Sequence, residues 1–149
     1  MLKKYLTKNL PKGKIMTNLF RDQEKFMRAC EQTVGELNDR QYKLYTDLIA
    51  EEFVEFNAAV AQGDRVEQLD ALLDILVVTI GAIHSGGFDG EAGWKEVMST
   101  NFAKIDKETG KVRKREDGKV LKPLGWTAPD LKPYVTTKAL VNGYVPQEL

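Results

Sequence analysis

Apolar residues recur at helical spacing along most of this chain, and the polar and glycine breaks between them divide it into successive helical segments. The first segment opens after Thr17 or Asn18, either of which can cap a helix, and carries Phe20, Phe26, Met27, Cys30 and Val34. Gly35 and Asn38-Asp39 end it. A second helix is predicted from about Arg40 to Gln62 and is stopped by Gly63. Its apolar face reads Ile49, Phe53, Phe56 and Val60, spaced by four, three and four. Asp64 is a suitable N-cap for a third helix, Arg65 to His84, which Gly86-Gly87 terminates. Leu69 to Ile83 is apolar nearly all round, so this helix is expected to be central and buried. A fourth helix is expected from Gly90 to Ile105, with Trp94, Val97, Met98 and Phe102 on one face.

After Ile105 the helical period is lost. Glu108-Thr109-Gly110 and Glu116-Asp117-Gly118 are turn signals, and Lys111-Val112-Arg113 can pair with Lys119-Val120-Leu121 as a small hairpin. From Pro123 onward, Pro, Gly and aromatic residues mix without a period, as in an extended tail. The fold class that follows is all-α: a bundle of roughly four or five helices with a small C-terminal hairpin or extended arm. Residues 1–16 read as a basic extension, 17–131 as one domain, and 132–149 as a tail.

Composition narrows the chemistry. Lys plus Arg (22) equals Asp plus Glu (22), so any field felt by a ligand comes from local segregation of charge. A nucleic-acid partner is not expected from this balance, because phosphate contacts usually demand a net basic face. With one cysteine, Cys30, there is no internal disulfide and no thiolate zinc cluster built by a single chain; with one histidine, His84, there is no His-rich metal site. Glu-x-x-His is missing, which excludes a ferritin-like di-iron bundle. The longest apolar run, near Leu72 to Ile83, is too short for a membrane span and contains Asp74. The basic N-terminus lacks the apolar stretch of a secretory signal, so a cytoplasmic protein with no membrane partner is expected.

The acids are concentrated on two helices. Glu51, Glu52 and Glu55 fall within an arc of roughly 100° on the second helix, beside its apolar face. Glu67, Asp70 and Asp74, spaced three and four apart, line one stripe of the third. Asp74 stands among Leu72, Leu73, Ile75, Leu76, Val77 and Val78, where a carboxylate is least expected. An unpaired buried carboxylate costs several kcal/mol, roughly, and needs a basic partner, a proton or a metal. A short turn at Gly63-Asp64 would bring the two acidic stripes face to face, and hard divalent ions such as Mg²⁺ or Mn²⁺ would resolve their repulsion.

These residues resemble the all-α nucleoside triphosphate pyrophosphohydrolases, the MazG-like and phosphoribosyl-ATP pyrophosphohydrolase-like superfamily. Its pattern is Glu-Glu-x-x-Glu on one helix and Glu-x-x-Asp on the next. Glu51-Glu52-Phe53-Val54-Glu55 looks like the first half, and Asp70-Ala71-Leu72-Leu73-Asp74 like the second. If Asp74 is the final Asp of the pattern, its Glu position falls on Ala71 and Asp70 substitutes from one residue earlier. Alternatively, Glu67-Gln68-Leu69-Asp70 is the motif and Asp74 an added acid. The stretch Val97 to Lys104, then Arg115 to Pro123, with Trp126 and Pro129-Asp130-Leu131, looks like the tail of the phage and bacterial branch.

The resemblance implies a MazG-like domain over 17–131 that cleaves a nucleoside triphosphate into monophosphate and pyrophosphate. Glu52, Glu55, Asp70 and Asp74 would be metal ligands for two or more Mg²⁺ or Mn²⁺ ions, and Glu67 an auxiliary acid. Glu51 would orient or deprotonate the attacking water, or hold a second metal. Asn101 and Lys104, three apart on one helix face, would reach a phosphate, with Arg115, Lys119 and Lys122 closing from the hairpin arm. The base would rest on Phe26, Met27 and Cys30 or on Trp126, with dGTP the preferred purine substrate. The resemblance also implies a homodimer or homotetramer, located in the host cytoplasm if the protein is phage-encoded. Phosphoribosyl-ATP hydrolysis and a non-catalytic helical binding module stand as alternatives.

Overall fold

The computed structural model describes residues 18–135. The expected extension over residues 1–16, Thr17 as a cap, and the tail from 136 onward lie outside the described residues. Besides a short helical turn at 132–135, the described residues form four longer helices in succession: α1 (Leu19–Ala29), α2 (Asp39–Gln62), α3 (Arg65–Ser85) and α4 (Gly90–Phe102). Each begins on an Asn or Asp whose side chain accepts from the first free backbone N–H groups, Asn18, Asn38, Asp64 and Asp89 in turn. Gly63 closes α2 in the left-handed region at φ 71°, which needs no Cβ, and Asp64 starts α3 at once. So short a connection forces α2 and α3 into an antiparallel hairpin.

The buried stripe of α2 differs in register from the predicted one. Tyr45 and Ala59 are buried and Ile49, Glu52 and Phe56 half-buried between them, whereas Phe53 (58% exposed) and Val60 lie outside the seam. On α3 the matching stripe is Gln68, Ala71, Ile75, Val78 and Ala82. Small residues on α3 let the helices approach closely, and at Gly81 the missing Cβ is filled by the Tyr45 ring. That ring is held by its hydroxyl, which donates to Gln32 Oε1 at 2.7 Å. Met27 of α1, wholly buried, completes a core with Tyr45, Val78 and Ala82, against which Val34, Tyr42, Leu48 and Ile49 pack. The core thus occupies the end of the hairpin remote from Gly63.

The expectation that α3 is buried all round does not hold for the single chain. Leu69, Leu72, Leu73, Leu76 and Val77 stay exposed, because α1 and α2 cover only one side and α4 touches α3 chiefly at its start. At that start Gly90 lies against Phe20 and Ile83. His84 is buried at this junction as a structural residue, its Nε2 2.9 Å from the Phe20 carbonyl oxygen. No helix among the described residues is long and apolar enough to cross a membrane.

Beyond α4 the chain forms two tight turns rather than a regular hairpin. Isolated bridges join Ile105 to Val112 and Lys114 to Val120, and among the described residues there is no strand. The expected pairing of 111–113 with 119–121 survives in one bond, Leu121 N–H to the Arg113 carbonyl at 2.8 Å. Asp106 and Asp117 organise the turns by accepting from the backbone N–H groups of Thr109 and Lys119. The chain then returns along α4: Trp126 Nε1 donates to the Thr100 carbonyl, Asp130 N–H to Glu96, and Asp89 N–H to the Tyr134 carbonyl.

A Cβ on residue 81 would stand 2.2 Å from Tyr45 Cε1, and the pinned ring has no room to retreat. Gly81→Ala is expected to destabilise the fold by about 1–3 kcal/mol, the usual cost of overpacking, read as a lower urea midpoint.

Candidate metal and phosphate site

Glu52 is the residue on which the acidic cluster turns. It lies two helical turns from Tyr45 toward Gly63 on the same inward stripe. A carboxylate therefore enters the α2–α3 seam. Its Oε2 is buried and has no hydrogen-bond partner. Burial holds the Glu52 carboxyl above its ordinary value of 4.5, and the charges of Glu55, Asp74, Glu51 and Asp70 push it the same way. The stranded carboxylate predicted from the sequence exists, but it is Glu52. Asp74 is exposed in the single chain, because it stands on the edge of the α3 stripe rather than within it.

Around Glu52 the remaining acids are placed by the hairpin. Glu51 and Glu55 flank it on α2, and Asp70 and Asp74 face it from α3, all four exposed. Glu67 lies in the first turn of α3, exposed, with its N–H bonded to Asp64. None of the ion pairs among the described residues involves any of these six acids; those pairs are Arg21–Glu91, Arg28–Glu24, Lys43–Asp47 and Arg115–Asp117. Arg65, the nearest base in the sequence, donates instead to Gln68.

Whether these residues fit a divalent cation is answered by their chemistry. The donors are all carboxylate oxygens, the preference of Mg²⁺ and Mn²⁺, and one of them is buried without a partner. They do not form a finished cage: among the described residues no group of three His, Cys, Asp or Glu side chains is positioned to hold an ion. Exposed Asp and Glu side chains rotate at little cost, so the backbone of the hairpin sets the site and the rotamers complete it. The arrangement fits such an ion in donor type and charge.

The predicted cations are all on α4 and the arm. α4 ends before Lys104, so the expected shared helix face is not formed, but Lys104 Nζ donates to Asn101 Oδ1 at 3.0 Å and keeps the two side chains together. Arg115 is held by Asp117 through both ends of its guanidinium, which keeps the Asp117 carboxyl below its usual range. Lys119 is exposed. Lys122 lies over the Trp126 ring, 4.5 Å from its centroid, and Lys104 is 4.9 Å from the same centroid. No hydrogen bond or ion pair among the described residues joins any of these groups to the acids of α2 and α3. Of the residues expected to hold a base, Met27 is core and Phe26 and Cys30 are exposed. The Lys104–Trp126–Lys122 stack had no signal in the sequence, since its members are brought together only by the returning arm.

The sequence model of the phosphoribosyl-ATP pyrophosphohydrolase family matches residues 21–101, slightly more than half of the chain. The chain belongs to the phosphoribosyl-ATP pyrophosphohydrolase family. Its helical fold is thereby one of the MazG-like all-α superfamily, a pyrophosphohydrolase fold. The matched stretch contains both acidic stripes and ends at Asn101, so the arm that carries Lys104 to Lys122 lies beyond it. No curated protein matches the chain.

Because Glu52 binds its proton more tightly in the folded metal-free chain than unfolded, the fold loses stability as pH rises through a window beginning just above 4.5. Glu52→Gln is expected to raise the melting temperature of the metal-free protein at pH 7, with the gain vanishing below pH 4.5, where Glu52 is protonated in both states. Scanning calorimetry in EDTA across that range checks it.

Proposed function

We propose that this protein is a metal-dependent nucleoside triphosphate pyrophosphohydrolase acting in nucleotide-pool control. The observation that carries the reading is the unpartnered Glu52 oxygen within a group of five carboxylates, in a chain of a pyrophosphohydrolase family. Glu52, Glu55, Asp70 and Asp74 would hold Mg²⁺ or Mn²⁺, two or more ions per site, with Glu67 in reserve at the mouth. Such ions, when bound, offset the negative charge of a triphosphate and acidify water. Glu51, on the open side of Glu52, accepts a proton from the attacking water. The water oxygen bonds to the α-phosphorus, the bond from that phosphorus to the α–β bridging oxygen breaks, and pyrophosphate leaves with the bonding pair. Asn101 and Lys104 contact phosphate oxygens, joined by Lys119 and Lys122, and by Arg115 once it leaves Asp117.

The acids and the arm belong to separate parts of the chain, and the exposed leucines and valines of α3 favour a second copy of this chain as their cover. A homodimer or homotetramer would hide that face and could place the arm of one copy over the acids of another. A purine deoxynucleotide such as dGTP is the preferred substrate; phosphoribosyl-ATP, favoured by the matching family, is the second reading.

The test is turnover of each dNTP, each NTP and phosphoribosyl-ATP with Mg²⁺ or Mn²⁺, with products separated by ion exchange. Monophosphate with pyrophosphate is expected from a triphosphate; orthophosphate release, or turnover of phosphoribosyl-ATP alone, would contradict the preferred reading. Asp74→Asn is expected to lower kcat/KM by at least about 100-fold, the upper end of losses seen for groups one shell further out, with helical content unchanged by circular dichroism.

A further inference from the structure

The segment just after α4 and the two turns beyond it form an open cleft of about 400 Å³, within the size range of small-molecule sites. Lys104, Arg113 and Lys122 are among the residues that line it, and Ile105, Leu121 and Pro123 form an apolar wall. Asp106 also lines it, but its Oδ1 is taken by Thr109 N–H, Thr109 Oγ and Glu108 N–H, which hold its carboxyl below the usual range. Among the described residues no hydrogen bond or ion pair engages the Arg113 guanidinium or the Lys122 ammonium.

The two lysines create the conflict that a ligand would resolve. Both ammonium groups lie within 5 Å of the centroid of one indole ring. They are therefore no farther apart than about 10 Å, the Debye length at moderate salt, so they repel. Attraction to the ring face offsets part of this, roughly 0.5–1 kcal/mol for each exposed contact. No carboxylate bridges them. An oligophosphate could span both ammoniums and take a two-pronged bond from Arg113, whose planar fork suits phosphate.

We propose that the arm carries an oligophosphate-binding pocket, lined by Lys104, Arg113 and Lys122 and flanked by Trp126, that works without divalent metal. The inference rests on reading the arm as the phosphate-binding part of the protein, and it adds Arg113, which neither the motif nor the family match assigns. Substrate or released pyrophosphate can therefore be held by the arm independently of the acids. The apolar wall leaves room for a nucleoside beside the phosphates.

Nuclear magnetic resonance of the full chain in EDTA and low salt tests this without depending on catalysis. The protein has two tryptophans, so Trp94→Phe assigns the Trp126 indole N–H signal. Titration with inorganic pyrophosphate is expected to shift that signal saturably, and Arg113→Gln or Lys122→Gln to weaken the binding by about tenfold each. Lys107→Gln, a neighbouring exposed lysine that does not line the cleft, is expected to bind as the parent does. A Trp126 signal unmoved by millimolar pyrophosphate overturns the proposal, as does an equal loss in Lys107→Gln, which would mean unspecific attraction. A parallel titration with dGMP and with orthophosphate separates the two sources of phosphate. Tighter binding of dGMP means that Ile105 and Leu121 receive a nucleoside; equal binding means that the pocket takes phosphate groups alone, and both outcomes support it. Loss of turnover with this binding intact would count against the hydrolase reading and leave the pocket standing.

Discussion

A carboxylate inside a helix–helix seam needs a positive partner or a proton, and the seam between α2 and α3 offers Glu52 no basic residue. The rest of the molecule is arranged around that condition. Tyr45 locked over Gly81 and Met27 packed beneath it concentrate the apolar core at one end of the hairpin. The turn at Gly63-Asp64 fixes the other end and puts Asp70 and Asp74 across from Glu52 and Glu55. The fold therefore supports an electrostatically unfavourable half with a well-packed one, an arrangement typical of sites whose ligand supplies missing stabilisation.

Charge is segregated along the chain rather than mixed. A formal net charge of zero hides an acidic hairpin and a basic arm. A triphosphate bound with divalent ions is itself both anion and cation, so it can satisfy the two parts at once. Within one chain the arm packs back on α4, where Trp126, Asp130 and Tyr134 anchor it. The single chain thus leaves the apolar side of α3 exposed, and no hydrogen bond or ion pair among the described residues links the arm to the acids of α2 and α3.

Much of this was legible in the sequence, and the reasons are local. The starts at Asn18 and Asp64 and the sharp stop at Gly63 could be read because each depends on one cap, whereas α1, expected to run on to Val34, stops at Ala29, and α4, expected to reach Ile105, stops at Phe102. The facing acidic stripes followed from helical spacing and one short connection. The register of α2 was not legible. Phe53 and Val60 outrank Tyr45 and Ala59 in hydrophobicity, yet the latter are buried because small residues on α3 admit the Tyr45 ring. Tracing the stripe from Tyr45 through Ile49 to Phe56 would have placed Glu52 inside it. The apolar character of α3 misled as well, since α1 and α2 cover only one side of it and leave Leu69, Leu72, Leu73, Leu76 and Val77 exposed. The arm resisted most, because Lys104, Arg113, Lys122 and Trp126 meet only through long-range turns that leave no periodic trace.

On the proposed reading, Glu52 is held in the seam for a cation. Binding of Mn²⁺ to the nucleotide-free protein, followed by the loss of the free-ion signal in electron paramagnetic resonance, tests it most directly. The parent chain is expected to bind Mn²⁺ saturably, with Mg²⁺ competing, and Glu52→Gln to lose that binding while keeping its helical fold. A parent chain that leaves the Mn²⁺ signal untouched, or a Glu52→Gln variant that binds as tightly as the parent, would contradict the account.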